Sequence, residues 1–169
     1  MIYTSSEAAK LLRSLNEEYN TLKQKEQQRY VFVAAVGEDI ESVRPSYEYG
    51  TVQKQLENLE QKIRIVKHTI NRFNLKTLVP DFDMTIDQML VYIPQLTARK
   101  EKLARMVNRL PKQRENTGSY RTAPIIEYSY ANYDMEEVEQ DYKETAALLA
   151  KAQTALDLVN NTQTMEIEL

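Results

Sequence analysis

The chain has 169 residues, 42% of them apolar, and a formal charge of -3, which is the size of one ordinary domain with no strong charge bias. Zero cysteines exclude disulfides and cysteine-based zinc or iron–sulfur centres, the single His68 excludes a multi-histidine metal site, and three glycines leave no phosphate loop or dinucleotide fingerprint. The longest apolar run, residues 31–36, is far shorter than the ~20 residues of a membrane-crossing helix. The opening Met1-Ile2-Tyr3-Thr4-Ser5-Ser6-Glu7 lacks the basic and apolar regions of a secretion signal, so a cytoplasmic protein without membrane contact is expected.

In chain order, Thr4-Ser5-Ser6-Glu7 fits a capping box, in which threonine and glutamate satisfy each other's free backbone N–H groups. The helix it opens carries an apolar stripe of Ala8, Leu11, Leu12, Leu15, Tyr19 and Leu22. The pattern slips through 25–29, recovers at Tyr30 and Val33, and is expected to end at Gly37. A loop of about a dozen residues follows, containing Arg44-Pro45 and Tyr47/Tyr49.

The second helix, expected over 51–75, has the clearest period: Val52, Leu56, Leu59, Ile63, Val66, Ile70 and Phe73 alternate steps of four and three, the repeat that keeps one narrow seam on a partner helix. A third begins at Thr85 with a second box through Gln88 and carries Ile86, Met89, Leu90, Ile93, Leu96, Leu103, Val107 and Leu110. Pro94 removes one ladder bond, so a kink is expected near 90–94, and Pro111 closes the element. The fourth begins near Asp134, with Glu136, Glu137 and Glu139 at the positive end of its dipole, and its seam runs Met135, Val138, Tyr142, Thr145, Leu149, Ala152, Leu156, Val159. Two β-favouring segments, 125–130 and 164–169, are expected to pair as a small ribbon. The fold class is therefore all-α: one domain over 1–169, a bundle of long antiparallel coiled-coil-like helices with a β ribbon. Apolar residues off the seams, Ile65, Leu75 and the 31–36 run, point to homo-oligomerisation.

The residues hold no catalytic constellation, and no enzyme activity and no cofactor are expected. Asp81, Asp83 and Asp87 suit either a magnesium site, with phosphodiester hydrolysis as the corresponding chemistry, or simple capping of the next helix. His68 falls at an outward heptad position with no nucleophile beside it. Residues 99–114 hold seven basic residues and one acidic, whereas 134–144 hold six acidic and one basic, so the two segments are expected near each other or near other partners. Arg105 and Arg109 share a helix face and, with Arg114 and Arg121, can converge on phosphate. Of eleven tyrosines, six lie in the two long connections: Tyr47, Tyr49, Tyr120, Tyr128, Tyr130 and Tyr133. Tyrosine offers a flat apolar face for a nucleobase, though tyrosines on a strand pair serve equally as a structural belt.

At Ile70-Asn71-Arg72-Phe73-Asn74, at Thr77, and at Asp83-Met84-Thr85-Ile86 leading to Leu90, the chain resembles a family of small helical bacterial proteins known as septicolysins. The resemblance continues through the 121–130 segment and through Gln153, Leu156, Asn160 and Glu168-Leu169, covering about the last hundred residues. This chain departs from the pattern with Met84 where a turn glycine is usual and Asn161 where a tryptophan usually follows the asparagine. Membership implies an all-helical oligomer without an established function; the toxin-like label finds no signal peptide or membrane segment to support it. In general traits the chain is also similar to small, oligomeric, non-enzymatic phage proteins that sequester nucleotide signals of bacterial immunity. The expected function is thus a homo-oligomer holding a small anionic, nucleotide-like ligand, with no DNA partner. Tyr120, Tyr128 and Tyr130 would stack or hydrogen-bond, and Arg105, Arg109, Arg114 and Arg121 would neutralise phosphate. The alternative is a structural or adaptor coiled-coil protein without a ligand.

Overall fold

The computed structural model describes residues 1–115 and 126–169. In chain order the elements are β1 (Ile2–Thr4), α1 (Ser5–Gln27), α2 (Ile40–Val43), α3 (Tyr49–Lys76), β2 (Leu78–Val79), β3 (Met84–Thr85), α4 (Ile86–Val107), β4 (Lys112–Arg114), β5 (Tyr128–Tyr130), α5 (Met135–Thr162) and β6 (Thr164–Glu166). The protein is mostly helical, with antiparallel two-stranded ribbons β1–β6, β2–β3 and β4–β5 among the described residues. It divides into two compact units, Met1–Thr77 with Leu158–Leu169, and Leu78–Asp157.

In the first unit the Thr4 box forms as read: Glu7 N donates to Thr4 Oγ1 at 3.2 Å and Thr4 N to Glu7 Oε2 at 2.8 Å. Helices α1 and α3 pack antiparallel. Tyr19 Oη donates to Glu60 Oε1 at 3.1 Å, and farther along α1 Glu26 Oε1 accepts from Gln53, earlier on α3, at 2.6 Å. Their seams bury Ala8, Leu15, Leu59 and Val66, and Met165 and Ile167 complete that core. Two helices and a ribbon cannot surround a core on every side, so Leu11, Leu12, Leu22, Ile63, Ile70 and Phe73 stay half-buried against it.

Two expectations are corrected here. The first helix ends at Gln27, ten residues before Gly37. From Lys23 to Arg29 no side chain is apolar, so only the polar contact of Glu26 with Gln53 holds this stretch to α3, and the β-branched residues beyond do not sustain a helix unaided. Gly37 instead serves a turn at φ +89, where Glu38 N donates to Ala35 O at 3.1 Å. The expected loop after it contains the single turn of α2, which Asp39 caps through Glu41 N.

The expected pairing of 125–130 with 164–169 is also wrong. β6 pairs with β1 (Ile2↔Glu166, Tyr3↔Met165, Thr4↔Thr164), and β5 pairs with β4. Met1 N donates to Ile167 O and Ile167 N to Met1 O, both at 2.9 Å, so the ladder continues past the strand ends. Alternation in β6 points Met165, and then Ile167, into the core, and β1 is the strand that pairs with it.

In the second unit β2 and β3 form a hairpin (Leu78↔Thr85, Val79↔Met84), an element absent from the sequence reading. Its turn places Asp81 at φ 68 and Asp83 at φ 48, the left-handed region that aspartate tolerates better than most residues. Thr85 then closes the second box on Gln88 and starts α4. That helix carries Pro94 inside it and buries Ile86, Met89, Leu96 and Leu103; Leu90 and Leu110, expected on the stripe, are exposed. Asp134 Oδ1 accepts from Glu136 N at 2.8 Å and Glu137 N at 3.2 Å, which fixes the start of α5. Of the expected α5 seam, Val138, Thr145, Leu149, Ala152, Leu156 and Val159 are buried. No helix among the described residues is long and apolar enough to cross a membrane.

Candidate functional site

The β4–β5 ribbon gathers chemistry onto one face. Asn108 caps α4, and the chain turns at once into Lys112-Gln113-Arg114, held in register as Lys112↔Tyr130, Gln113↔Ser129 and Arg114↔Tyr128. Ala131 N donates to Pro111 O at 3.0 Å and Glu115 N to Glu127 O at 2.9 Å, extending the ladder at both ends. Directly opposed side chains share a face and neighbours alternate, so Lys112, Arg114, Tyr128 and Tyr130 lie on one side, and Gln113 and Ser129 on the other. The Lys112 ammonium sits 4.2 Å from the Tyr128 ring centroid and 5.5 Å from that of Tyr130. Both rings and both cations are exposed.

Two exposed aromatic rings thus share one face of the ribbon with two cations, one of which lies over them. Stacking on such a ring is worth about 1–3 kcal/mol per base, and a cation held over an aromatic face adds about 0.5–1 kcal/mol at an exposed site.

Of the candidate residues, the ribbon brings together Arg114, Tyr128 and Tyr130. It adds Lys112, which the sequence reading placed in the basic stretch but not in the site, although its two-residue spacing from Arg114 on a strand puts both on one face. Arg105 and Arg109 are exposed and make no ion pair among the described residues. Tyr120 and Arg121 lie outside the described residues. Tyr133 has a structural task instead, since its hydroxyl donates to Met106 O at 2.8 Å and ties the approach to α5 back onto α4.

The basic and acidic segments meet where Arg99, Lys102 and Leu103 of α4 and Asp141, Glu144 and Thr145 of α5 line a cleft of about 320 Å³. The three acidic residues considered for magnesium do not converge: among the described residues no group of three carboxylate or imidazole side chains is arranged to hold a metal ion. Asp81 Oδ2 lies 3.5 Å from Lys151 Nζ, and that ammonium also lies 5.5 Å from the centre of the Phe82 ring, so the turn is fastened to α5. His68 is exposed on α3.

In the first unit Glu26, inside the stretch where the apolar pattern slips, is a node that sequence reading missed. It accepts from the Tyr47 hydroxyl at 2.8 Å as well as from Gln53, and Arg29 reaches Ser46 O at 3.5 Å. Glu26, Arg29, Ser46 and Tyr47 line an open pocket of about 230 Å³ together with Leu22 and Val52. Burial, followed by the carboxylate it donates to, pushes the Tyr47 hydroxyl above its ordinary pKa. For Tyr19 the bond to Glu60 is the larger cause of a rise in the same direction.

No family model matches the chain, and no curated protein matches it. A solved structure does: a functionally unknown conserved protein from Corynebacterium diphtheriae is 16% identical, with the match covering 98% of this chain and 100% of that one at a TM-score of 0.63. At that identity the likeness shows the fold alone.

Proposed function

We propose that this protein is a non-enzymatic, homo-oligomeric binding protein that sequesters a small anionic, nucleotide-like molecule on the β4–β5 ribbon. The observation that carries this reading is the exposed face of Lys112, Arg114, Tyr128 and Tyr130, with one ammonium within 4.2 Å and 5.5 Å of two ring centres. Arg105, Arg109, Tyr120 and Arg121 belong to the same proposal as phosphate-neutralising or stacking groups from the segments flanking the ribbon. Affinity rather than turnover would be the activity, as in phage proteins that remove an immune signal, and a resemblance to septicolysins would accord with a helical oligomer. Coiled-coil association of the long helices would supply the oligomer; the half-buried Leu11, Leu12, Leu22 and Ile63 around the first core support it.

Native mass spectrometry on protein purified from cells, without added ligand, tests the reading by showing a reproducible mass excess per site. Calorimetry with an adenine mononucleotide and with inorganic phosphate then separates stacking from simple anion binding. Lys112→Ala with Arg114→Ala should weaken nucleotide binding at least tenfold while leaving the circular dichroism unchanged. Equal affinity of the double variant and the parent rejects the ribbon as the site.

The structural alternative, an adaptor whose helices are the whole function, is favoured by one observation: opposite charges line the α4–α5 cleft, so part of the basic stretch already faces acidic neighbours. It predicts no thermal shift with any nucleotide, and stability that rises with protein concentration.

A further inference from the structure

Residues 30–36, Tyr30-Val31-Phe32-Val33-Ala34-Ala35-Val36, contain no charge and no proline. They belong to neither a helix nor a paired strand. Their burial nevertheless alternates like that of a strand packed on one side: Val31, Val33 and Ala35 are exposed, and Phe32 and Ala34 half-buried. Phe32 lies under the Arg44 guanidinium at 5.4 Å, which anchors the inner side. Among the described residues, the backbone N–H and C=O groups of Val31, Phe32, Val33 and Ala34 make no hydrogen bond within the chain; only Tyr30 N, Ala35 N and Ala35 O in this stretch are engaged. A β-favouring apolar segment with free donors and acceptors is a template for another strand.

We propose that this segment pairs antiparallel with the same segment of a second copy, around a twofold axis at Val33. The inference rests on the oligomeric half of the proposed function and adds to the helical contact a second interface built by this segment; it does not depend on the ligand. A strand read against itself in this way sets Val31 opposite the partner's Ala35 and Val33 opposite the partner's Val33, so every facing side chain is apolar and no like charges meet. Area favours the same occupant. Tyr30, Val31, Val33, Val36 and the nearby Ile40 are 60%, 64%, 90%, 109% and 54% exposed. These five together expose on the order of 600 Å² per copy, so a twofold contact can draw on at most about 1,200 Å² in total, which reaches the lower edge of a stable interface.

The chain has no cysteine, which makes the test direct. Val33→Cys introduces one thiol, and antiparallel pairing brings the two Cβ atoms of the facing pair within reach of a disulfide. Mild oxidation should then give a covalent dimer, while Lys54→Cys, exposed on α3, gives none. Sedimentation of Val33→Lys should show self-association at least tenfold weaker than the parent, with an unchanged circular dichroism spectrum. An oligomer unaffected by Val33→Lys and without the Val33→Cys crosslink overturns this interface and leaves the oligomeric reading standing. A parent that is monomeric at high concentration overturns both. Co-flotation of a monomeric parent with anionic phospholipid vesicles would assign the segment to a bilayer and overturn the pairing.

Discussion

Replacing Ile167 by alanine tests whether the last strand is part of the core or merely laid upon it. Ile167 is 2% exposed and packs in one cluster with Ala8, Leu15, Leu59, Val66 and Met165. Ile167→Ala removes three buried carbons. At ~0.8 kcal/mol each, the transfer loss is about 2.4 kcal/mol, and the cavity left behind brings the cost to about 3–4 kcal/mol. For a chain of this length that corresponds to a fall of roughly 10 °C in Tm. Leu169→Ala is the control, because Leu169 is exposed and its loss should stay within about 0.5 kcal/mol. Urea unfolding followed by far-ultraviolet circular dichroism gives both numbers, at one fixed protein concentration because self-association would move the midpoint. A loss below about 1 kcal/mol for Ile167→Ala, or one equal to that of Leu169→Ala, refutes the assignment of β6 and the residue after it to the core.

The Thr4 box should titrate. Its backbone and side-chain hydrogen bonds hold the Glu7 carboxyl below its ordinary range, so the stability this carboxylate adds is present above the unfolded value and lost as pH falls through the folded one. Acid unfolding should therefore fall off more steeply for the parent than for Glu7→Gln, while the equivalent box on Gln88 contributes nothing to the pH dependence. Asp83, at φ 48, should accept glycine at little or no cost, whereas Asp83→Val should cost about 1–2 kcal/mol in the same urea assay. Tyr47→Phe removes a hydroxyl donated to the Glu26 carboxylate and should lower the urea midpoint, with faster proteolysis of the connection between α1 and α3; an unchanged cleavage rate would remove Tyr47 as its anchor.

The helices were legible because their signals are local. The boxes at Thr4 and Thr85, the Asp134 cap and the seams of α3 and α5 each lie within a few residues of what they specify, and each is present. The strands were not, because a three-residue strand is defined by its partner. Lys112-Gln113-Arg114 has no β pattern of its own, and Ile2-Tyr3-Thr4 reads as the approach to a cap until β6 arrives beside it. Tyr30 and Val33 look like a recovered stripe, but the seven polar residues before them offer α3 no apolar counterpart, and the first helix stops there. At the candidate site, residue types were readable but neighbours were not. Tyr128 and Tyr130 stand out in composition, yet only the register brings Lys112 to them.

The β1–β6 clasp also has a consequence for how the protein is made. Thr4 leaves the ribosome 160 residues before its partner Thr164. At roughly 5–20 residues per second, that is a delay of about 8–30 s. Once α3 has been made, α1 and α3 can meet, but the side of their contact later sealed by Met165 and Ile167 stays open to water until β6 follows, with the uncharged 30–36 stretch beside it in the chain. The first unit is thus begun before the second and completed after it, and its yield in a cell should depend on the chaperones that shield the nascent chain while it waits for β6.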